Sequence, residues 1–171
     1  MPDIPTVKFD TSYLTQGVLE ALERDIRELP ETNDRNFDEI YDIAVRAIAT
    51  GGDLHSLSVE LAVRSGVTMT SQRAAKVSTL LWLRTRNRID QIRATELGLT
   101  HAIWMYSNAP CMEDPKAPSE KDLRRDAAHK AADGKHYRIT EGLRVGGRRI
   151  WPGDEDGCRC VSRTVVPGFE D

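Results

Sequence analysis

Residues 143–160 read LRVGGRRIWPGDEDGCRC. Two short runs, LRV and RRIW, flank Gly146-Gly147. A two-residue glycine turn between such runs predicts a β-hairpin, because the tight turn needs positive φ that glycine supplies without steric cost. Behind the hairpin comes a Pro152-Gly153 loop carrying the acids Asp154, Glu155 and Asp156. Cys158-Arg159-Cys160 then opens CRCVSRTVV, which reads as a last strand.

Working upstream, HYRIT at 136–140 reads as another strand, and the polar run from about Ser119 to Ala132 as a helix. THAIWMYS, Thr100 to Ser107, is short and rich in aromatic and β-branched residues, so it too predicts a strand. Before Gly98 the texture is helical, with apolar residues returning at a spacing of three and four. Leu14, Val18, Leu22, Ile26 and Leu29 form one stripe, which Pro30 ends. Phe37, Ile40, Tyr41, Ala44 and Ile48 form a second, ending at Gly51-Gly52. Asp53 is a candidate cap for a third helix through Leu54, Leu57 and Leu61, with Gly66 as its stop. Thr70 or Ser71 opens the longest, through Ala74, Val77, Leu81, Ile89 and Ile92 toward Gly98; at ~1.5 Å per residue it would reach about 40 Å, the length of a spine or docking arm. The predicted class is α+β: a helical N-terminal region with a long helix over 1–98, followed by a small antiparallel-sheet unit with one helix over 99–171.

Composition narrows the function classes. The chain has 171 residues, 39% apolar and 30% charged, which suits a soluble protein with a modest core. No stretch approaches the ~18 apolar residues of a membrane span, and MPDIPTVKFD lacks the basic and apolar regions of a secretory signal, so the expectation is a cytoplasmically made protein not exported on its own. Three cysteines cannot all pair within one chain. The net charge of −3 is unevenly spread. Residues 1–69 carry six Lys/Arg against thirteen Asp/Glu, residues 70–100 six against two, and residues 101–171 twelve of each. The basic stretch nominates Arg84, Arg86, Arg88 and Arg93 as nucleic-acid contacts, against a plainer reading as a solvated helix face.

Cys111, His129, Cys158 and Cys160 supply three thiolates and an imidazole, the number and type a tetrahedral zinc site takes. A Cys-x-Cys pair on an extended strand is held several ångströms apart, so the site requires the strand to bend at Gly157. A disulfide between Cys111 and one of the pair, or plain buried free thiols, are the other readings. Arg125 and His129 are four apart and share a helix face. They read as polar anchors, with Asp126, fastening that helix to the Pro-Gly loop and its acids; an acid/base or phosphate-handling role is the sharper alternative. Trp104 and Trp151 read as core residues on strands. His55, His101 and His136 carry no functional claim.

Taken together, Thr95-Glu96, Trp104, Arg125 with Asp126 and His129, Asp133-Gly134-Lys135, Pro152-Gly153 and Cys158-Arg159-Cys160 resemble, in order and spacing over roughly 90–165, the phage Mu F-like minor head proteins, also called phage head morphogenesis proteins. The resemblance implies a structural, non-enzymatic virion component near the portal vertex, assembled in the bacterial cytoplasm with portal, capsid or scaffold proteins. Packaged DNA is a further candidate partner; no membrane and no small-molecule substrate is implied, and no cofactor unless zinc. The competing reading is a small zinc-dependent nuclease or toxin-like effector using His129 or Asp126 as base.

Overall fold

In the computed structural model, residues 11–51, 54–64 and 69–168 are described. The chain forms two compact units, Met1–Trp82 and Leu83–Asp171. Their division falls inside the long helix, whereas the sequence reading placed the end of the helical region at residue 98.

The first unit is helical. After a short 3-10 turn, α1 spans Gln16–Arg27, α2 Phe37–Ala49 and α3 Leu54–Arg64, and α4 begins at Ser71. Thr15 caps α1 by accepting from the Val18 amide. The helix stops before Pro30, since a residue preceding proline is driven out of the helical region. Asp38 and Glu39 occupy the first turn of α2, where the helix dipole favours acids. Thr70 rather than Ser71 caps α4, its Oγ1 accepting from the Arg73 amide. Gly52, Asp53 and Gly66, read above as stop and cap residues, lie outside the described residues. Leu22, Ile26, Ile40, Leu57, Leu61, Val77 and Leu81 are almost wholly buried in one cluster. Each contributes ~1.5–3 kcal/mol of apolar burial.

In the second unit, α4 runs on to Glu96. Gly98 at φ 73° ends it, with the Leu99 amide donating to the Ala94 carbonyl and the Gly98 amide to Thr95. This is a Schellman stop. Then follow β1 His101–Met105, α5 Glu120–Lys130, β2 His136–Arg138, β3 Leu143–Val145, β4 Arg148–Ile150 and β5 Val161–Thr164. One antiparallel sheet has the order β2-β1-β5, and β3-β4 forms a separate hairpin. Ala102 pairs with Tyr137 on one side and Thr164 on the other, so β1 is central. Gly146 and Gly147 at φ 57° and 85° make the hairpin turn as expected.

The α+β class is therefore observed, with two corrections of detail. β5 starts at Val161, so Cys158 and Cys160 precede the last strand instead of lying in it. Trp151 also lies just off β4; it is half-buried, and its Nε1 donates to the Ile139 carbonyl at 2.8 Å. Among the described residues no helix is long and apolar enough to cross a membrane.

Candidate metal centre

α5 does not bury an apolar stripe. Its buried residues are Asp122, Asp126 and His129, spaced four and three apart on one face. Ser119 caps the helix in a reciprocal capping box with Asp122. Asp122 Oδ1 also accepts from the Glu113 amide at 3.1 Å. Asp126 Oδ1 accepts from the Cys111 amide at 2.8 Å and the Tyr106 hydroxyl at 2.7 Å. Arg125 Nε donates to the Cys111 carbonyl at 2.9 Å. Consecutive residues of α5 thus grip both main-chain polar groups of Cys111, which sets its side chain beside His129.

The Pro-Gly loop delivers the other two thiols. The Cys158 amide closes a turn onto the Glu155 carbonyl, and Gly157 takes φ 74°. A Cβ at Gly157 would overlap the Met112 carbonyl, so only glycine lets this loop pack against the Cys111 segment. With that bend the Cys158 and Cys160 side chains converge. The Gly153 amide points at Cys158 Sγ, 3.3 Å away, and donates to it.

The donor atoms of Cys111, His129, Cys158 and Cys160 all lie within 4.8 Å of one another, and all four residues are buried. Cys111 Sγ is 3.5 Å from Cys160 Sγ and 3.9 Å from Cys158 Sγ. His129 Nδ1 is 3.3 Å from Cys158 Sγ and 3.7 Å from Cys160 Sγ. Four ligands at tetrahedral angles and ordinary zinc bond lengths would have S···S edges of about 3.8 Å and S···N edges of about 3.5 Å. These separations straddle those values, so the donor set fits a metal. All three cysteines are free.

The opposite ring nitrogen, His129 Nε2, is 2.8 Å from Glu155 Oε2. A carboxylate on the far nitrogen of a ligating histidine fixes ring orientation and raises ligand basicity. Trp104, fully buried, meets the imidazole in a T-shaped contact at 5.3 Å between centroids.

Electrostatics follow the same contacts. Burial alone would depress the His129 pKa, but hydrogen bonds with Cys111, Cys158 and Glu155 outweigh it and raise it to about 11. Hydrogen bonds from the neighbouring thiols hold Cys111 well below an ordinary thiol, while the same sharing, with burial, pushes Cys160 up. Glu155 is lowered, chiefly by His129. The protein-only cluster therefore holds protons among close donors, and metal binding would expel them.

His129 reaches the Pro-Gly loop through Glu155, and Trp104 is buried in the core, whereas Asp126 binds the Cys111 amide and the Tyr106 hydroxyl and not that loop. Arg125 likewise fastens α5 to the Cys111 segment and Glu113, not to the Pro-Gly loop, and pairs with Asp122 on its own helix. The loop is held instead by His129 through Glu155, and by α4, where Arg84 Nε donates to the Asp154 carbonyl at 2.8 Å and Asn87 Nδ2 to the Pro152 carbonyl. The four α4 arginines do not share a face. Arg84 and Arg88 lie four apart and are half-buried, while Arg86 and Arg93 project from the opposite side, about half a helical turn away. Arg86 is paired with Asp90. Tyr106 and Asp122 escaped sequence reasoning, although Ser119-x-x-Asp122 carries a capping signature ahead of the helix.

The fold and cluster define the class: an α+β chain whose sheet unit contains a closed, buried Cys3His cluster able to hold a metal ion. Comparison with known protein families, curated proteins and solved structures finds no match to this chain.

Proposed function

We propose that the chain is a minor head or head-morphogenesis protein of a tailed phage or prophage, a non-enzymatic virion component near the portal. Its second unit is held together by zinc on Cys111, His129, Cys158 and Cys160. One observation supports the reading: apart from Thr95-Glu96, the residues of the Mu F-like pattern gather around the cluster. Trp104 packs on His129, and Asp126 holds the Cys111 amide. The Asp133-Gly134-Lys135 turn clasps β1 through Gly134 and Lys135 bonds to Trp104, and Gly153 donates to Cys158. The motif is thus the frame of the donor set.

Thiolate and imidazole donors in a tetrahedron favour zinc among common metals. Four protein ligands close the coordination shell, which supports a structural role over the nuclease alternative, since a catalytic zinc keeps a position open. When bound, zinc would supply cross-links between α5, the Cys111 segment and the Cys-Arg-Cys loop. The unit is suited to such a staple, because three of the eleven residues in its described core cluster are the cysteines themselves.

Two measurements test the reading separately. Native mass spectrometry of the full chain under reducing conditions should show one zinc that a chelator removes; a metal-free, stably folded species would overturn the zinc centre. A tagged copy expressed during infection should be recovered in purified proheads or particles. Its absence from both would overturn the head assignment.

A further inference from the structure

A cavity of about 370 Å³ opens between α5 and the β3-β4 hairpin. Lys121, Arg124 and Arg125 line one bank and Arg148 the other, with Glu155 the one carboxylate in its wall. We infer that this cavity binds a phosphate-bearing ligand.

The argument starts from helix spacing. Lys121 stands three residues before Arg124 and four before Arg125, so α5 gathers three cations on one face, where like charges at these spacings repel. The relief is uneven: Arg125 is balanced by Asp122 and Glu113, whereas Lys121 and Arg124 are not. Lys121 makes no ion pair among the described residues. Arg124 reaches only Glu120, at 4.0 Å, with both side chains largely exposed, so the pair is worth little in water. Arg125 differs in kind: its side chain is 8% exposed and is locked by the Cys111 carbonyl and Asp122, giving the cavity a fixed cationic floor.

Across the gap, Arg148 sits beside the hairpin turn, paired with Glu155 yet 70% exposed. Gly146 has open space where a Cβ would be, so the turn leaves the mouth clear. Arg125 shares its charge with Asp122 and Glu113, and Arg148 with Glu155, which leaves Lys121 and the weakly paired Arg124 as the excess cations at the mouth; these suit an oxyanion, and guanidinium forks match phosphate oxygens. Among the described residues no Phe, Tyr or Trp lines the cavity, and its one ring, the His129 imidazole, is buried and held by Glu155, so the cavity offers no free platform for stacking a base. The chemistry recognised is the phosphate group, whether in a nucleic-acid backbone or as a free phosphate. This site is separate from the α4 arginines and does not depend on the head assignment.

The test uses the full chain, loaded with zinc, with a fluorescent single-stranded oligonucleotide and inorganic phosphate as probes. Lys121 and Arg124 are exposed, so the K121E/R124E double variant should keep the wild-type circular dichroism; R86E on α4 is the control for a charge reversal outside the cavity. Anisotropy should show oligonucleotide binding that weakens with salt, falling at least about tenfold in K121E/R124E, with a salt slope smaller by about two, and unchanged in R86E. If only inorganic phosphate binds, shifting α5 amides in NMR spectra of the wild type and not of the double variant, the site takes a free phosphate. Binding of neither probe, equal binding by wild type and K121E/R124E, or an equal loss in R86E would overturn the inference.

Discussion

Cys158 and Cys160 show how one neighbouring residue controls a pair. Two apart on a straight strand, their side chains would be held apart by the extended backbone; the turn at Gly157 brings both to His129 Nδ1, at 3.3 and 3.7 Å. Gly157→Ala forces a side chain into the left-handed region and against the Met112 carbonyl. It should destabilise the second unit by at least about 2 kcal/mol in denaturant unfolding; a loss within experimental error would show that the loop does not need the bend. Glu155→Gln keeps all four donors but weakens the acceptor on His129 Nε2. Zinc affinity measured by chelator competition should fall about 10–100-fold, with one zinc still bound. The four donor types were legible in the sequence as a set. Glu155 was legible only as one of three loop acids, because nothing in DED says which carboxylate the turn aims at the imidazole.

At the scale of elements, α1 and α2 were readable because their apolar stripes match the helical period and become their buried faces. α5 was readable from its ends and polarity, but its buried face was not, since Asp122, Asp126 and His129 are buried by hydrogen bonding instead of by apolar packing. A comparable tie anchors α4 in the first unit. Arg73 Nε is 2.6 Å and Nη2 3.3 Å from the two carboxylate oxygens of Glu31, in the loop after α1. The Arg73 hydrogen bond is the main reason Glu31 is held below the ordinary glutamate range. A lowered folded pKa adds stability above the unfolded value of about 4.5, and that stability is lost as pH falls through the folded value. Glu31→Gln should therefore cost about 1 kcal/mol at neutral pH, and the gap between the two proteins should close as pH drops below about 4.5. Urea titrations of both across that range decide it; a gap independent of pH would mean that the ion pair contributes nothing.

For the whole molecule, the two units divide the consequences of metal loss. The first holds an apolar cluster with no cluster ligand in it, whereas the core of the second includes Cys111, Cys158 and Cys160. Structural zinc contributes on the order of 10 kcal/mol to small domains that depend on it. Chelation should thus remove hydrogen-exchange protection from β1 and β5 while α1 and α2 keep theirs; retained protection in β1 would mean that the second unit stands without metal. Sequence alone determined the α+β class, the helices of the first unit and the glycine hairpin, and it nominated Cys111, His129, Cys158 and Cys160 as a donor set beside the disulfide and free-thiol readings, because these follow from periodicity, turn chemistry and residue type, all local properties. Only the tertiary structure decided that the last strand begins after Cys160, that Arg125 grips Cys111, that the α4 arginines part onto opposite faces, and that an α5 face and a distant hairpin share one basic cavity. Those outcomes depend on which segments meet across long sequence separations, and a close approach such as Gly157 against the Met112 carbonyl exists only once the chain has folded.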